Sequence, residues 1–341
     1  MQAKNLCFYL SDHGFGHIAR NIPLIAEAVR RTNGFVYVVC GKRHLEFAKA
    51  NLLEILTPEQ FSRIRYRAEH TDIGLILQQG TLLVDTAALT DACAQYLAER
   101  PERAKQEADW LCQHDVAAAL CDMPLWSISA CEQAGVPLLY VGNFTWTELY
   151  REFLPEHIWE AYAAEYRKIR HGMLYALHNP EMLEFLSQAE LSETSLVARP
   201  FHPDEIQAIR ARHTCPVVFV ALGMSAQFTQ PVSVEGVEAH FYVTEGVPLT
   251  GSNVTVIPYS TLHTQDYVAA ADYVITKAGW GTVAECLLAQ KPMALFARDS
   301  VLEDRTTIRL LEQMKQITYP AVPEYHNAAA EIVSKLLTLT E

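Results

Sequence analysis

Positive charge is scarce in this sequence. Its 341 residues carry 27 Lys+Arg against 40 Asp+Glu, a formal charge of −13. No global field therefore draws the chain to a nucleic acid or an anionic membrane, and any anionic ligand must be held locally. No window reaches the roughly 18 consecutive apolar residues of a membrane span, and only a short apolar stretch precedes Ser11-Asp12-His13, so neither an integral membrane segment nor a signal peptide is expected. The eight cysteines contain no Cys-x-x-Cys pair, and several fall inside apolar runs; they read as small hydrophobes of a reduced, cytoplasmic chain. Walker A, Gly-x-Gly-x-x-Gly and Asp-x-Asp patterns are absent, as are heptads, internal repeats and low-complexity tracts. What is present is 50% apolar and 20% charged, a composition that folds. At about 150 residues per domain the length suggests two domains.

Leu6-Cys7-Phe8-Tyr9-Leu10 reads as a buried strand, followed by a polar loop from Ser11 to Gly16 and a helix whose Ile18, Ile22, Ile25, Ala26 and Val29 recur at spacings of three and four. Phe35 to Cys40 supplies the next strand and completes a βαβ unit. The alternation returns with a long helix from about Asp85 to Cys112, a strand Val116–Cys121, a helix Leu125–Gln133 and a strand Val136–Val141. A second series holds strands at Val217–Leu222, Val254–Ile257, Tyr273–Thr276 and Pro292–Phe296, with a helix at about Thr282–Ala289. Two parallel α/β sheets are expected, divided near Arg199-Pro200-Phe201-His202-Pro203, where two prolines interrupt regular structure. The expected domains are 1–200 and 201–341.

Ligands of open α/β sheets collect at the carboxyl ends of strands, where helix N-termini present unpaired N–H groups. Three loops qualify. In Ser11-Asp12-His13-Gly14-Phe15-Gly16-His17 the glycines admit close approach of a ligand and the histidines can exchange protons near neutral pH; the alternative is a tight turn with a solvated His. His17 falls in the first helical turn, where the helix dipole favours the neutral imidazole that a general base requires. In Cys121-Asp122-Met123-Pro124 the carboxylate either caps the next helix or orients a histidine base, and its distance from His17 or His13 decides between the two. In Thr276-Lys277-Ala278-Gly279-Trp280-Gly281-Thr282-Val283-Ala284-Glu285, the two glycines at a helix start are either a bare Gly-x-Gly without a ligand or an anion cradle, to which Lys277 adds charge, Thr282 a hydroxyl, and Glu285 a carboxylate able to hold a diol.

This third loop, with Ala271-Asp272 before it and Gln290-Lys291-Pro292 after it, resembles the donor segment of GT-B glycosyltransferases related to the lipid-linked N-acetylglucosaminyl transferase of peptidoglycan synthesis and to the plant UDP-sugar transferases. Gly16-His17-Ile18 resembles the Gly-His that opens their first helix, and Asp122 the Asp that partners that His. Tyr9 to Arg20, Val141 to Trp146 and Lys277 to Glu285 look like the glycosyltransferase-like N-terminal region of L-arabinokinases. The kinase half has no counterpart here, so sugar kinase activity is not carried over. The chain departs from the family at Leu222-Gly223-Met224-Ser225-Ala226, where many relatives have a Gly-rich phosphate loop, and at Arg298 to Arg305, where an acidic-Gln pair usually grips the sugar.

The resemblance implies a GT-B fold: two Rossmann-like parallel-sheet domains facing each other across a cleft, the first for acceptor and the second for donor, with a last helix from about Asn327 to Leu339 crossing back to the first. It implies a cytoplasmic, metal-independent hexosyl or pentosyl transferase using a nucleotide-diphosphate sugar, most simply a UDP-sugar, with no separate cofactor and no metal ligands. Its expected catalytic residues are His17 with Asp122, and His13 as rival base. The donor would meet Gly223, Ser225, Lys277, Gly279, Gly281, Thr282, Glu285 and Asp304. The acceptor would meet Gly14, Gly16, Arg20, Asn143, Phe144 and Trp146, the two rings forming a platform or, alternatively, ordinary packing. A non-catalytic nucleotide-sugar binder of the same fold is the second reading, and it predicts a His17–Asp122 distance too long for a hydrogen bond.

Overall fold

The computed structural model describes residues 4–79, 83–222, 230–296, 301–315 and 324–341. The chain divides into two units, Met1–Ile76 with Val84–Val197 and Asn327–Glu341, and Leu77–Leu83 with Ala198–His326.

The first unit is built on strands β1 (Asn5–Leu10), β2 (Val36–Cys40), β3 (Ile64–Ala68), β4 (Val116–Asp122), β5 (Leu138–Gly142), β6 (His171–Leu174) and β7 (Glu190–Glu193). They form one sheet in the order β3-β2-β1-β4-β5-β6-β7 with every pairing parallel. Its helices are α1 (Phe15–Arg31), α2 (Lys42–Ile55), α3 (Pro58–Phe61), α4 (Thr86–Gln113), α5 (Leu125–Ala134), α6 (Trp146–Tyr150) and α7 (Glu156–Tyr166). Leu6 to Leu10 and Val36 to Cys40 are buried throughout, as expected of parallel strands covered on both faces. The apolar stripe of α1 faces inward as the periodicity requires: Ile18, Ile22, Ile25, Ala26 and Val29 are all buried.

The second unit contains β8 (Val217–Ala221), β9 (Val232–Ser233), β10 (His240–Thr244), β11 (Leu249–Thr250), β12 (Val254–Ile257), β13 (Tyr273–Lys277) and β14 (Met293–Phe296), with helices α8 (Pro203–Arg210), α9 (Thr264–Ala270), α10 (Trp280–Leu288) and α11 (Leu302–Lys315). Five strands make a parallel sheet in the order β12-β10-β8-β13-β14, and β9 pairs with β11 apart from it. A core of Phe219, Tyr242, Ile257, Val268, Val274 and Cys286 fills one of its faces. The last helix, α12 (Ala329–Thr338), belongs to the first unit: Ala328 N donates to Leu196 O at 2.9 Å, and Arg31 Nη1 bonds Ser334 Oγ at 2.7 Å.

Several boundaries differ from the sequence reading. α10 starts at Trp280 rather than Thr282 because Gly279 is its N-cap, so Gly281 lies inside the first turn. The strand expected from Val136 begins at Leu138. Strands β3, β6, β7 and β10 were not anticipated. In β3 the arginines break the apolar pattern, yet each finds a partner: Arg67 forks onto Glu107 at 2.6 and 2.8 Å, and Arg65 stacks on Phe35.

Candidate functional site

In each sheet the strand order reverses at one place, between β1 and β4 and between β8 and β13. At such a switch point of an open α/β sheet, loops leaving the carboxyl ends of the strands splay apart and open a crevice for ligands. Leu10 pairs with Asp122 at the end of the β1–β4 ladder, and Ser11 N donates to Asp122 O at 2.9 Å. This register carries Asp122 to the loop that opens α1. Gly14 caps that helix with φ 76° and ψ 161°, a conformation that a side chain would strain, and a Cβ at Gly14 or Gly16 would meet nothing within 4 Å. Both glycines are exposed. His17, Arg20 and Asn21 then follow at spacings of three and four, on one face, and all are buried.

Asp122 is fully buried and gathers this face around it. Its Oδ1 lies 2.9 Å from His17 Nδ1 and accepts from Arg20 Nη2 at 2.6 Å, while Oδ2 accepts from Arg20 Nε at 2.8 Å and Asn21 Nδ2 at 2.6 Å. Burial alone would raise this carboxyl, but the charge of Arg20 and the hydrogen bonds made with His17 and Arg20 hold it well below the usual carboxylate range. Ionised Asp122 only accepts, so it selects the His17 tautomer with the proton on Nδ1 and the lone pair on Nε2. Arg20 Nη2 also comes within 3.0 Å of His17 Nδ1 because both groups share Asp122 Oδ1. The next residue, Met123, is buried at φ 91°, a costly conformation for a side chain and of the kind that clusters at functional sites.

His13 sits elsewhere: its ring meets Trp146 edge-on at 5.5 Å and packs beside Gly74, where a Cβ would fall 1.9 Å from His13 Nδ1. Four residues expected at the acceptor are enclosed by protein. Arg20 and Asn143 are 5% and 2% exposed and bond each other at 2.7 Å, since a buried carboxylate requires an internal cation and that cation a fixed partner. Phe144 and Trp146 are 3% and 2% exposed; they pack on each other, and Trp146 Nε1 donates to Asp72 Oδ2 at 2.9 Å, so the pair is packing rather than an open platform. Asp72 itself was missed. Burial and the neighbouring charge of Asp12 push its carboxyl up to about 7.

In the second unit, Thr276 Oγ1 donates to Ala221 O at 2.8 Å and ties β13 to β8 at the switch point. Gly279 opens α10 without a side-chain cap, and a Cβ there would meet Lys277 Cε at 3.2 Å, so the lysine chain runs across the helix start. Gly281 and Thr282 occupy the first turn and are half-buried. Glu285 is buried on the same helix and bonds Arg199 Nη2 at 3.1 Å. Burial raises its carboxyl above the ordinary value; Arg199 opposes this and Asp266 adds to it. Arg199 was visible in the sequence only as part of the divide between domains. Asp304 is fully buried in the first turn of α11. Gly223 and Ser225 lie outside the described residues. His202, His263 and Asp266 bring one donor atom each within 4.8 Å of the others. Both Asp266 oxygens, however, accept from His202, from its backbone N at 2.9 Å and its Nδ1 at 2.8 Å, which describes a pair of hydrogen bonds fastening the start of α8 to α9.

Two parallel sheets, with a His–Asp pair at the switch point of one and a glycine-opened helix at that of the other, match the fold of GT-B glycosyltransferases. Residues 217–307 match the Glycosyltransferase family 28 C-terminal domain. Over 332 residues the chain is 24% identical to an L-arabinokinase of Arabidopsis thaliana, a match that covers 91% of this chain and 30% of that protein. The chain therefore spans less than a third of this relative's length. Similar solved structures include Arabidopsis thaliana UGT89C1 complexed with UDP-L-rhamnose (TM-score 0.58, 13% identity, all of both chains covered) and UDP-glucose: anthocyanidin 3-O-glucosyltransferase in complex with UDP (TM-score 0.60, 11% identity, 99% of both). CalG4, the calicheamicin glycosyltransferase, also superimposes (TM-score 0.58, 13% identity, 100% of this chain and 92% of that one). At these identities the structures establish the fold. No described helix is long and apolar enough to cross a membrane.

Proposed function

We propose that the protein transfers a sugar from a UDP-sugar to an acceptor hydroxyl without a metal ion, in the cytoplasm. The observation that carries this reading is the 2.9 Å contact between His17 and Asp122, since a protein that only bound nucleotide sugars would have no need of a buried carboxylate orienting an imidazole. His17 Nε2 takes the proton of the acceptor hydroxyl, the oxygen attacks the anomeric carbon, and the bond to the nucleoside diphosphate breaks. Asp122 stabilises the imidazolium that forms. Charge developing on the diphosphate is met by the N–H groups of Gly281 and Thr282 at the start of α10 and by Lys277, in place of a divalent cation. Glu285 accepts from the ribose hydroxyls. Nucleotide choice is supported by the UDP and UDP-sugar complexes of the similar structures.

Single-turnover release of UDP from UDP-sugars, with a panel of sugars and phenols as acceptors, tests the base. His17→Ala should slow the chemical step by about 10²–10⁴-fold, the usual contribution of a general base, while His13→Ala should remain near wild type. An unchanged rate in His17→Ala would remove the base assignment and favour the binder.

A further inference from the structure

Arg199 is 5% exposed, and its guanidinium ties the segment before α9 to α9 and α10. Its Nη1 donates to Leu262 O at 2.5 Å, and its Nη2 donates to Thr264 Oγ1 at 3.0 Å and to Glu285 Oε1 at 3.1 Å. Leu262 and Thr264 flank His263, the N-cap of α9, so one backbone carbonyl and one hydroxyl anchor the guanidinium at the start of that helix. Nη2 also holds Oε1 of Glu285, and among the described residues no hydrogen bond is made to Oε2. A planar guanidinium tied at two points fixes the carboxylate in one orientation, which a lysine at the same position could not do.

Charge makes the same demand. Asp266, 1% exposed, is a second buried carboxylate within electrostatic reach of Glu285, and its own oxygens are taken by His202. Without Arg199 the two acids would share a dry environment, and a buried carboxylate lacking a counter-charge takes up a proton. A protonated Glu285 has one oxygen committed as a donor and loses the acceptor strength that grips a pair of vicinal hydroxyls.

We propose that Arg199 is a positioning residue of the nucleotide site: it keeps Glu285 a carboxylate, turned so that Oε2 meets the ribose hydroxyls of the donor. This rests on the ribose role proposed for Glu285. The charged and titratable groups facing Glu285 are Arg199, Asp266 and the neighbouring Cys286, with His202 and His263 one layer further out against Asp266.

UDP binding by calorimetry from pH 6 to pH 9, expressed as the ratio of variant to wild-type Kd, cancels the titration of UDP itself. Arg199→Gln should raise Kd at pH 6 by about tenfold to a hundredfold, the scale of a lost charge-assisted hydrogen bond. The ratio should shrink as the pH rises and Glu285 regains its charge. Arg199→Lys should fall between, and Glu285→Gln should bind weakly at every pH. A loss in Arg199→Gln that is the same at every pH, or no loss beside a weakened Glu285→Gln, overturns the positioning role while leaving the ribose role intact. Wild-type affinity in Glu285→Gln overturns both. Should Arg199→Gln fail to fold, Thr264→Val removes only one hydroxyl holding the same guanidinium. A several-fold rise in Kd at pH 6 that recovers by pH 9 supports the proposal, and an unchanged Kd overturns it.

Discussion

Replacing Arg20 by Met tests whether the buried Asp122 carboxylate depends on its cation. Methionine keeps the apolar stem of the side chain and deletes the guanidinium that bonds both Asp122 oxygens. Asp122 is fully buried and Arg20 is 5% exposed, so the pair sits in the regime where removing one partner costs about 3–5 kcal/mol. For a unit of this size each kcal/mol moves the midpoint by roughly 2–4 °C, giving a fall of roughly 6–20 °C. The pH dependence carries the sharper test. In the wild type Asp122 lies below the usual carboxylate range, so its contribution is present above the unfolded value of about 3.9 and is lost as pH falls through the lower folded value. Without Arg20, burial outweighs the remaining partners and the folded value rises above the unfolded one. The sign then reverses: stability is present at low pH and is lost as pH rises. Thermal unfolding followed by circular dichroism should show a smaller gap between wild type and Arg20→Met at pH 5 than at pH 8. A gap below about 2 °C, or one that widens toward pH 5, would refute the account of Asp122 as an ion held by Arg20.

Two further outcomes concern the loops around this site. Asp72, with its carboxyl at about 7, contributes stability that is present below the unfolded carboxylate value and lost as pH rises through about 7. Asp72→Asn removes that loss, so its melting temperature relative to wild type should improve from pH 5 to pH 8, and a flat or falling difference would contradict the shift. Gly74→Ala places a Cβ 1.9 Å from His13 Nδ1 at a backbone φ of +67° and should destabilise by about 1–3 kcal/mol from backbone strain alone. If the His13 contact adds to this, the double variant Gly74→Ala/His13→Ala should be more stable than strict additivity allows; additive melting temperatures would place the whole cost in the backbone.

The sequence by itself determined the elements whose cause is local. Buried strands announced themselves as apolar runs, α1 by its spacing of three and four, and the candidate loops by their position between strand and helix. His17, Asp122, Gly279 and Glu285 could be singled out because glycines, a helix start and a strand end are features of adjacent residues. Local signals failed at β3, whose Arg67 is matched by Glu107 forty residues away, and at β10, where the apolar run Phe241-Tyr242-Val243 is only three residues long. Tertiary structure alone decided the partners. His17 meets Asp122 across 105 residues because the parallel ladder pairs Leu10 with Asp122, and the same register brings Arg20 onto that carboxylate as its counter-ion. Arg199 reaches Glu285 across 86 residues for the same kind of reason. Ion pairing depends on distance and burial in three dimensions, and sequence spacing records neither once the chain has crossed from one strand to another.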